Sequence, residues 1–588
     1  MKRALHAVNT HRPENVTPYI EKIEGAPGGA AQFGWVREKT TAVWQGDVLY
    51  APVRGGGAPV PLAVFHAWHS CESDGDHVHS LQHTAQGWRL GPEIAETETL
   101  GLRVRDHEVR LTFDVPKKYA RFEDRASIER TQDSIPNFGL LRLSQDYTVR
   151  LLSCNGVPIA YKQAGGVIAF VPPTAKTFTL SLRYAGTVNN RNGDYILPGE
   201  ASFNSYFLPN IARLPVTTTV TVTAPPGWKP IAQGEKKTET KAADGSITAA
   251  YRNDMPVCYQ TIDAAPYTVT KRVVDGRTLS TYLLVNDTKF ATACLDELER
   301  SMRWYSQNFV PYPYTHYEVV QTKGQFGGAL EAYSFATFGP GTLPDTIAHE
   351  LAHTWWGGVV PCAYTRSMWN EGFAEYSDDL LHRRLRKVER RRNTDLPDPR
   401  PRYGNSFAGV PLAAAHDTSD GRSESVGYGK GKLVMRVLEE QIGQEKMLNC
   451  LATFAKEHPH GEAAEWGEFA AIVSRVTGED YGWFFRQWVS RAGLPTLHLA
   501  NVTAKQNGDG WTVEGDVTQS PPRYRLKLPV HLETKGTSVD AVLEVSETDG
   551  TGTHFVLRTP SAPVQITLDP DFLIPLTTDD ETTFTFMP

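Results

Sequence analysis

The chain of 588 residues carries a formal charge of −7, with 40% hydrophobic and 22% charged residues; this is the balance of an ordinary globular protein of several domains, and it excludes collagen-like and disordered classes. So mild a charge offers no basic field for nucleic acid or an anionic membrane, and neither partner is expected. Six widely spaced cysteines, Cys71, Cys154, Cys258, Cys294, Cys362 and Cys450, form no C-x-x-C pair, so separate thiols are expected. Met1 to Glu24 carry no apolar leader core and no stretch is long enough to span a bilayer, which makes a cytoplasmic chain the expectation; a trimmed leader would look the same and leaves secretion open.

Residues 1–100 mix glycine, proline and aromatics with short strand-like runs such as Ala42 to Tyr50, and read as a β-rich appendage. Here His66, His69, His77, His79 and His83 cluster with Cys71, Asp74 and Asp76. Their spacing fits no zinc finger, and the local Gly, Ser and Asp content points to a solvated loop. From 101 to 272 the pattern has period two, as in Phe178, Leu180, Leu182 and Tyr184 or Val216, Val220 and Val222, so a large antiparallel β domain is expected. Helical periodicity begins near Asp287, where Phe290, Cys294, Leu295, Leu298, Met302 and Tyr305 share one apolar face; the domain it opens spans 273–495. The basic run from His382 to Arg392 reads as a solvated helix face, because no aromatics interleave. Over 496–588 period-two alternation returns, for example through Arg525 to Val530, with turns at Asn507-Gly508-Asp509-Gly510 and Asp549-Gly550; a C-terminal β-sandwich is expected.

The chemistry concentrates between Gly327 and Glu371. His349-Glu350-Leu351-Ala352-His353 sets two imidazoles at i and i+4, on one helix face, where they can share one zinc ion. Glu350 between them suits a general base acting on water. Further on, Asn370-Glu371-Gly372 reads as the start of a second helix, with Glu371, seventeen intervening residues beyond His353, able to supply a third ligand. Upstream lies Gly327-Gly328-Ala329-Leu330-Glu331-Ala332, and downstream Tyr428-Gly429-Lys430-Gly431 opens another amphipathic helix.

These four motifs in this order resemble the M1 family of zinc aminopeptidases, whose pattern is H-E-x-x-H, eighteen residues, Glu, preceded by G-A-M-E-N. The resemblance implies a multidomain α+β chain: a β-saddle domain at 101–272, a thermolysin-like zinc catalytic domain at 273–495 and the β-sandwich at 496–588. It implies one zinc per chain on His349, His353 and Glu371, Glu350 as base, and Tyr428 stabilising the oxyanion. Glu331 would grip the free α-ammonium of a peptide, with Gly327, Gly328 and Ala329 bordering it. Glu375 is expected to orient a ligand histidine, with Asp378 as the competing candidate. The family often sends a second amine-binding residue from the saddle; Glu200 lies in that stretch, but the local match to the family is poor.

Two departures stand out. The gap to Glu371 is one residue short, and Ala332 replaces the motif's Asn. A deletion within a helix would turn Glu371 by about 100°, whereas a loop deletion would not; with Thr354 to Trp356 read as helical, the missing residue is expected between Gly357 and Met368. The expected activity is therefore removal of the N-terminal residue from peptides with a free N-terminus. A thermolysin-like endopeptidase, or a non-catalytic scaffold with this fold, are the rival readings.

Overall fold

The computed structural model describes residues 16–23, 30–37, 40–66, 74–84, 87–94, 101–189, 193–204, 207–211, 214–324, 328–362, 364, 367–385, 411–415, 425–547, 552–577 and 581–586. The fold is mixed α+β and mostly strands. The chain divides into two compact units, one of residues 1–365, 418–420 and 455–464, the other of 366–417, 421–454 and 465–588.

The first unit opens with a six-stranded antiparallel meander, Val16–Ile23 to Gly87–Glu93. His66 ends one of its strands, and His77, His79 and His83 lie on Asp74–Thr84. These four positions are therefore strand positions, not the loop expected from composition; His69 and Cys71 lie outside the described residues. An eight-stranded sheet follows, in which Thr177–Thr187 pairs with Tyr119–Arg130 and buries Phe178, Leu180, Leu182 and Tyr184 as their alternation requires. Its core is aromatic, with Tyr184 stacked on Phe122 at 4.9 Å between ring centroids.

The same unit holds a five-stranded sheet. In chain order its strands are β1 (Thr268–Val274), β2 (Arg277–Leu283), β3 (His316–Gln321), β4 (Ala329–Glu331) and β5 (Phe335–Phe338); in space they run β1-β2-β3-β5-β4. β4 is thus an edge strand, antiparallel to β5. Helix α1 (Thr288–Asn308) is capped by Asp287, whose side chain accepts from the Phe290 N–H, and it buries Cys294, Leu295, Leu298, Met302 and Tyr305. Helix α2 (Ile347–Ala352) is only six residues long. So short a helix is not stable alone; packing holds it, with Ile347, Ala348, Leu351 and Ala352 fully buried and the Tyr305 hydroxyl of α1 donating to the Ala348 carbonyl at 3.1 Å.

The second unit contains α3 (Trp369–Leu385), α4 (Gly431–Ile442), further helices to Ser490, and two C-terminal sheets of three and four strands. Asn507 pairs with Gly510 across a two-residue hairpin loop, the turn expected from that sequence. Among the described residues Cys154, Cys258, Cys294, Cys362 and Cys450 are buried, and no helix is long and apolar enough to cross a membrane.

One buried acid makes the first unit sensitive to pH. Asp263, on strand Ile262–Ala265 opposite Ser202, is fully buried. Burial pushes its carboxyl up to about 8, against a hydrogen bond from Ser202 and with the help of the Glu200 charge. Its unfolded value is about 3.9, so the folded state holds the proton more tightly. The stability this contributes is complete below about pH 4 and is lost as pH rises through about 8. The melting temperature of the parent should therefore fall between pH 5 and pH 8, and Asp263→Asn should flatten that slope; parallel pH profiles for the two proteins would refute it.

Candidate active site

In the first unit, His349 of α2 and His353, its C-cap residue, lie side by side, with their Nε2 atoms 3.1 Å apart. The Nδ1 of His353 lies 3.1 Å from the Trp356 carbonyl. A carbonyl only accepts, so Nδ1 carries a proton and Nε2 is the ring nitrogen that faces His349. Two imidazoles so arranged, one oriented by a backbone acceptor, are what a shared zinc ion requires. Glu350 is buried in the same turn, and Glu331, Glu350 and His353 each offer a donor atom within 4.8 Å of the others.

The chain beyond His353 departs from the helix expected through Trp356. α2 ends at Ala352, and the next amides reach unusually far back: Gly358 N–H to the His353 carbonyl at 3.1 Å, Val359 to Thr354 at 2.8 Å and Val360 to Trp355 at 2.9 Å. Trp356–Gly357 pairs instead, as a short strand, with Val360–Pro361. The glycines explain this. Gly357 sits at φ +123°, and a Cβ on Gly358 would fall 2.4 Å from the Thr354 carbonyl oxygen.

Glu331 ends edge strand β4 and is 4% exposed. Its Oε1 accepts a hydrogen bond from the Tyr364 hydroxyl, and the Tyr333 hydroxyl lies 3.1 Å from that of Tyr364. Tyr333 itself is held at φ +61°, a left-handed conformation uncommon for a bulky residue. Its carbonyl accepts from Thr354 Oγ1 at 2.7 Å, which ties the turn after Glu331 to the turn after His353. Gly328, just ahead of β4, and Ala329, its first residue, are half-buried, while Gly327 lies outside the described residues. Glu200 accepts from the Lys323 N–H at 3.1 and 2.9 Å through its two carboxylate oxygens. Burial raises its pKa, against those backbone donors.

In the second unit, Glu371 is buried in the first turn of α3, where the helix dipole favours a carboxylate, and Asn370 Nδ2 lies 3.4 Å from its Oε1. Tyr428 is 37% exposed on a wide helical turn, Ser425–Lys430, that leads into α4; such π-type turns recur at functional sites. Lys430, two residues on, is fully buried, and burial, then the Arg491 charge, pulls its ammonium down to about 8. Glu375 accepts from Lys432 Nζ at 2.8 Å, and Asp378 pairs with His382 at 3.1 Å.

Sequence reasoning misread the basic end of α3. Arg383 is not part of a solvated face: it is 4% exposed, bonds Asp379 at 2.8 Å and reaches Glu439 of α4 at 2.7 Å, while Arg436 also bonds Asp379 at 2.8 Å. Arg384 is exposed as expected, and 386–392 lie outside the described residues. Tyr364 and Thr354 were missed as well; the signal was the glycine pair between them, which admits aromatic rings.

The segments bearing Glu371 and Tyr428 meet where Gly372 of α3 faces Gly431 of α4. A Cβ on either would lie 2.9 Å from the other's Cα, and backbone cannot yield as a flexible side chain can. Gly372→Ala or Gly431→Ala should therefore each destabilise the protein by about 1–3 kcal/mol, read as a lowered denaturation midpoint. An unchanged midpoint in both would refute the close crossing.

Residues 293–488 match the model of the Peptidase family M1 domain. The chain is similar to Aminopeptidase M1-C of rice, at 23% identity over 259 residues, which cover 38% of this chain and 28% of that one. The first curated relatives are matched over only 28–29% of their own length. Among solved structures, Legionella pneumophila aminopeptidase A in complex with aspartic acid shares 15% identity at a TM-score of 0.67, covering 81% of this chain and 59% of that one. A mutant M1 zinc metallopeptidase from Deinococcus radiodurans shares 22% identity at a TM-score of 0.57, covering 67% of this chain and 95% of that one. Both likenesses are of fold. The motifs from Gly328 to Gly431 all lie within the residues that match the Peptidase family M1 domain.

Proposed function

We propose that this protein is a zinc-dependent aminopeptidase that removes the N-terminal residue from peptides with a free α-amine. The observation that carries the reading is the cluster within the first unit: a two-histidine face, a buried glutamate between the histidines, and Glu331 beside them within 4.8 Å of His353 and Glu350. A second carboxylate so close to the chemistry has a use in an exopeptidase, which must hold the substrate ammonium; an endopeptidase has none for it. The curated relatives named aminopeptidases support the same activity.

In this reading His349, His353 and Glu371 would hold the zinc, which when bound would supply a Lewis acid for the scissile carbonyl and for water. Glu350 takes the proton of the attacking water and passes it to the leaving amine. The half-exposed Tyr428 donates to the developing oxyanion. Edge strand β4 offers backbone groups at Gly328 and Ala329 to an extended peptide, with Gly327 ahead of them. Glu331 pairs with the ammonium, so that only the first peptide bond meets Glu350. Glu375, or Asp378 in its place, would orient a ligand histidine.

The roles predict different phenotypes. His353→Ala and Glu371→Ala should lose zinc on dialysis, while Glu350→Gln should retain it and lose turnover, as read by metal analysis alongside hydrolysis of aminoacyl fluorogenic amides. Zinc retention by Glu371→Ala together with its loss from Glu375→Ala would move the third ligand one turn along α3. Tyr428→Phe should lower kcat by roughly 10²–10³ with KM little changed; full activity would remove it from the mechanism.

A further inference from the structure

We propose that Tyr364 is a positioning residue for substrate selection: its hydroxyl, backed by that of Tyr333, fixes the Glu331 carboxylate in the orientation that receives the substrate ammonium. The inference rests on the reading of Glu331 as the amine-binding group and adds the device that aims it.

The direction of the hydrogen-bond chain follows from counting protons. Tyr364 donates its single hydroxyl proton to Oε1 of Glu331. Its oxygen can then only accept from Tyr333, 3.1 Å away. The relay therefore runs Tyr333 to Tyr364 to Glu331, with every proton pointing towards the carboxylate. Burial, then the Glu331 charge, holds the Tyr333 hydroxyl well above its usual pKa, so it remains a donor.

Each member is held in place from another direction. Tyr333 keeps its left-handed backbone because the Ser334 N–H bonds the Ala332 carbonyl at 2.7 Å, the Ala332 N–H bonds the Phe335 carbonyl at 2.9 Å, and Thr354 clamps the Tyr333 carbonyl. Tyr364 packs edge-on against Tyr259, with ring centroids 5.7 Å apart. Gly357 lets both rings approach: a Cβ there would lie 3.1 Å from Tyr333 Cε1 and 3.3 Å from the Tyr364 hydroxyl. With Oε1 engaged by Tyr364, carboxylate rotation is restricted and Oε2 is aimed. A free glutamate would lose rotamer entropy on gripping each substrate; a preorganised one has lost it on folding.

The test compares kcat and KM for an aminoacyl fluorogenic amide and its N-acetyl counterpart in the parent, Tyr364→Phe, Tyr333→Phe and Glu331→Gln, each loaded with zinc and checked for zinc content and melting temperature. Tyr364→Phe keeps the ring against Tyr259 and removes only the proton. It should raise KM for the free amine roughly ten- to a hundredfold, the worth of one hydrogen bond to a charged group, with kcat within about threefold. The preference for the free amine over the acetylated substrate should fall by the same factor. Tyr333→Phe should move KM the same way by less, and it carries the test if Tyr364→Phe does not fold. Equal losses on both substrates would make Tyr364 merely structural and overturn the proposal. If Glu331→Gln abolishes the preference while Tyr364→Phe and Tyr333→Phe retain it, the relay is refuted and the reading of Glu331 stands. If Glu331→Gln itself retains the preference, the reading of Glu331 fails and the relay's role fails with it.

Discussion

The Nδ1–H of His353 is committed to the carbonyl of Trp356, and this single bond constrains most of what surrounds it. It fixes Nδ1 as a donor and turns Nε2 towards His349. It also requires the chain to leave the helix immediately after His353, because the carbonyl of a continuing α-helix would point along the axis towards an amide four residues on. The wide turn that results depends on Gly357 and Gly358, and it delivers Tyr364 to Glu331. The histidine pair and the tyrosine relay are thus two products of one local departure from helix geometry.

Elsewhere the structure repeats one economy, in which glycine lets backbones or rings meet and charges lock the meeting. At the crossing of α3 and α4, Gly372 and Gly431 permit the contact, while Asp379, Arg383, Arg436 and Glu439 bond across it further along. Removing one member of such a buried set costs more than the set adds over an apolar core, because its partner is left charged and unpaired. The arrangement therefore specifies which helices meet more than it adds stability. For Glu371 and Tyr428 that specification matters, since the segments bearing them flank the glycine contact.

Burial is used unevenly among the acids. The Asp379 carboxyl is held below the usual range: burial opposes this, but the charges of Arg436 and Arg383 prevail. Asp263 has no such cation among the causes of its shift and keeps its proton. The same side chain in two environments is an anchor in one and a pH-dependent liability in the other.

What the sequence determined by itself was whatever repeats over a few residues. The i, i+4 histidines, the period-two strand at Phe178 to Tyr184, the apolar face of α1 and the Asn507 to Gly510 turn are local patterns, and local geometry fixes which side chains share a face. Glu331 and Tyr428 were legible as candidates only through the resemblance of their motifs to those of a known family. The tertiary structure decided the rest, because the deciding partner lay far along the chain. Arg383 reads as one more solvated cation until Glu439, fifty-six residues on, buries it. Thr354 to Trp356 read as helix until the Tyr333 ring and carbonyl claim the space and the donor beside them. Tyr364 has no local pattern at all: only the fold brings its hydroxyl across thirty-three residues to Glu331, and a contact made by chain reversal leaves no period in a sequence.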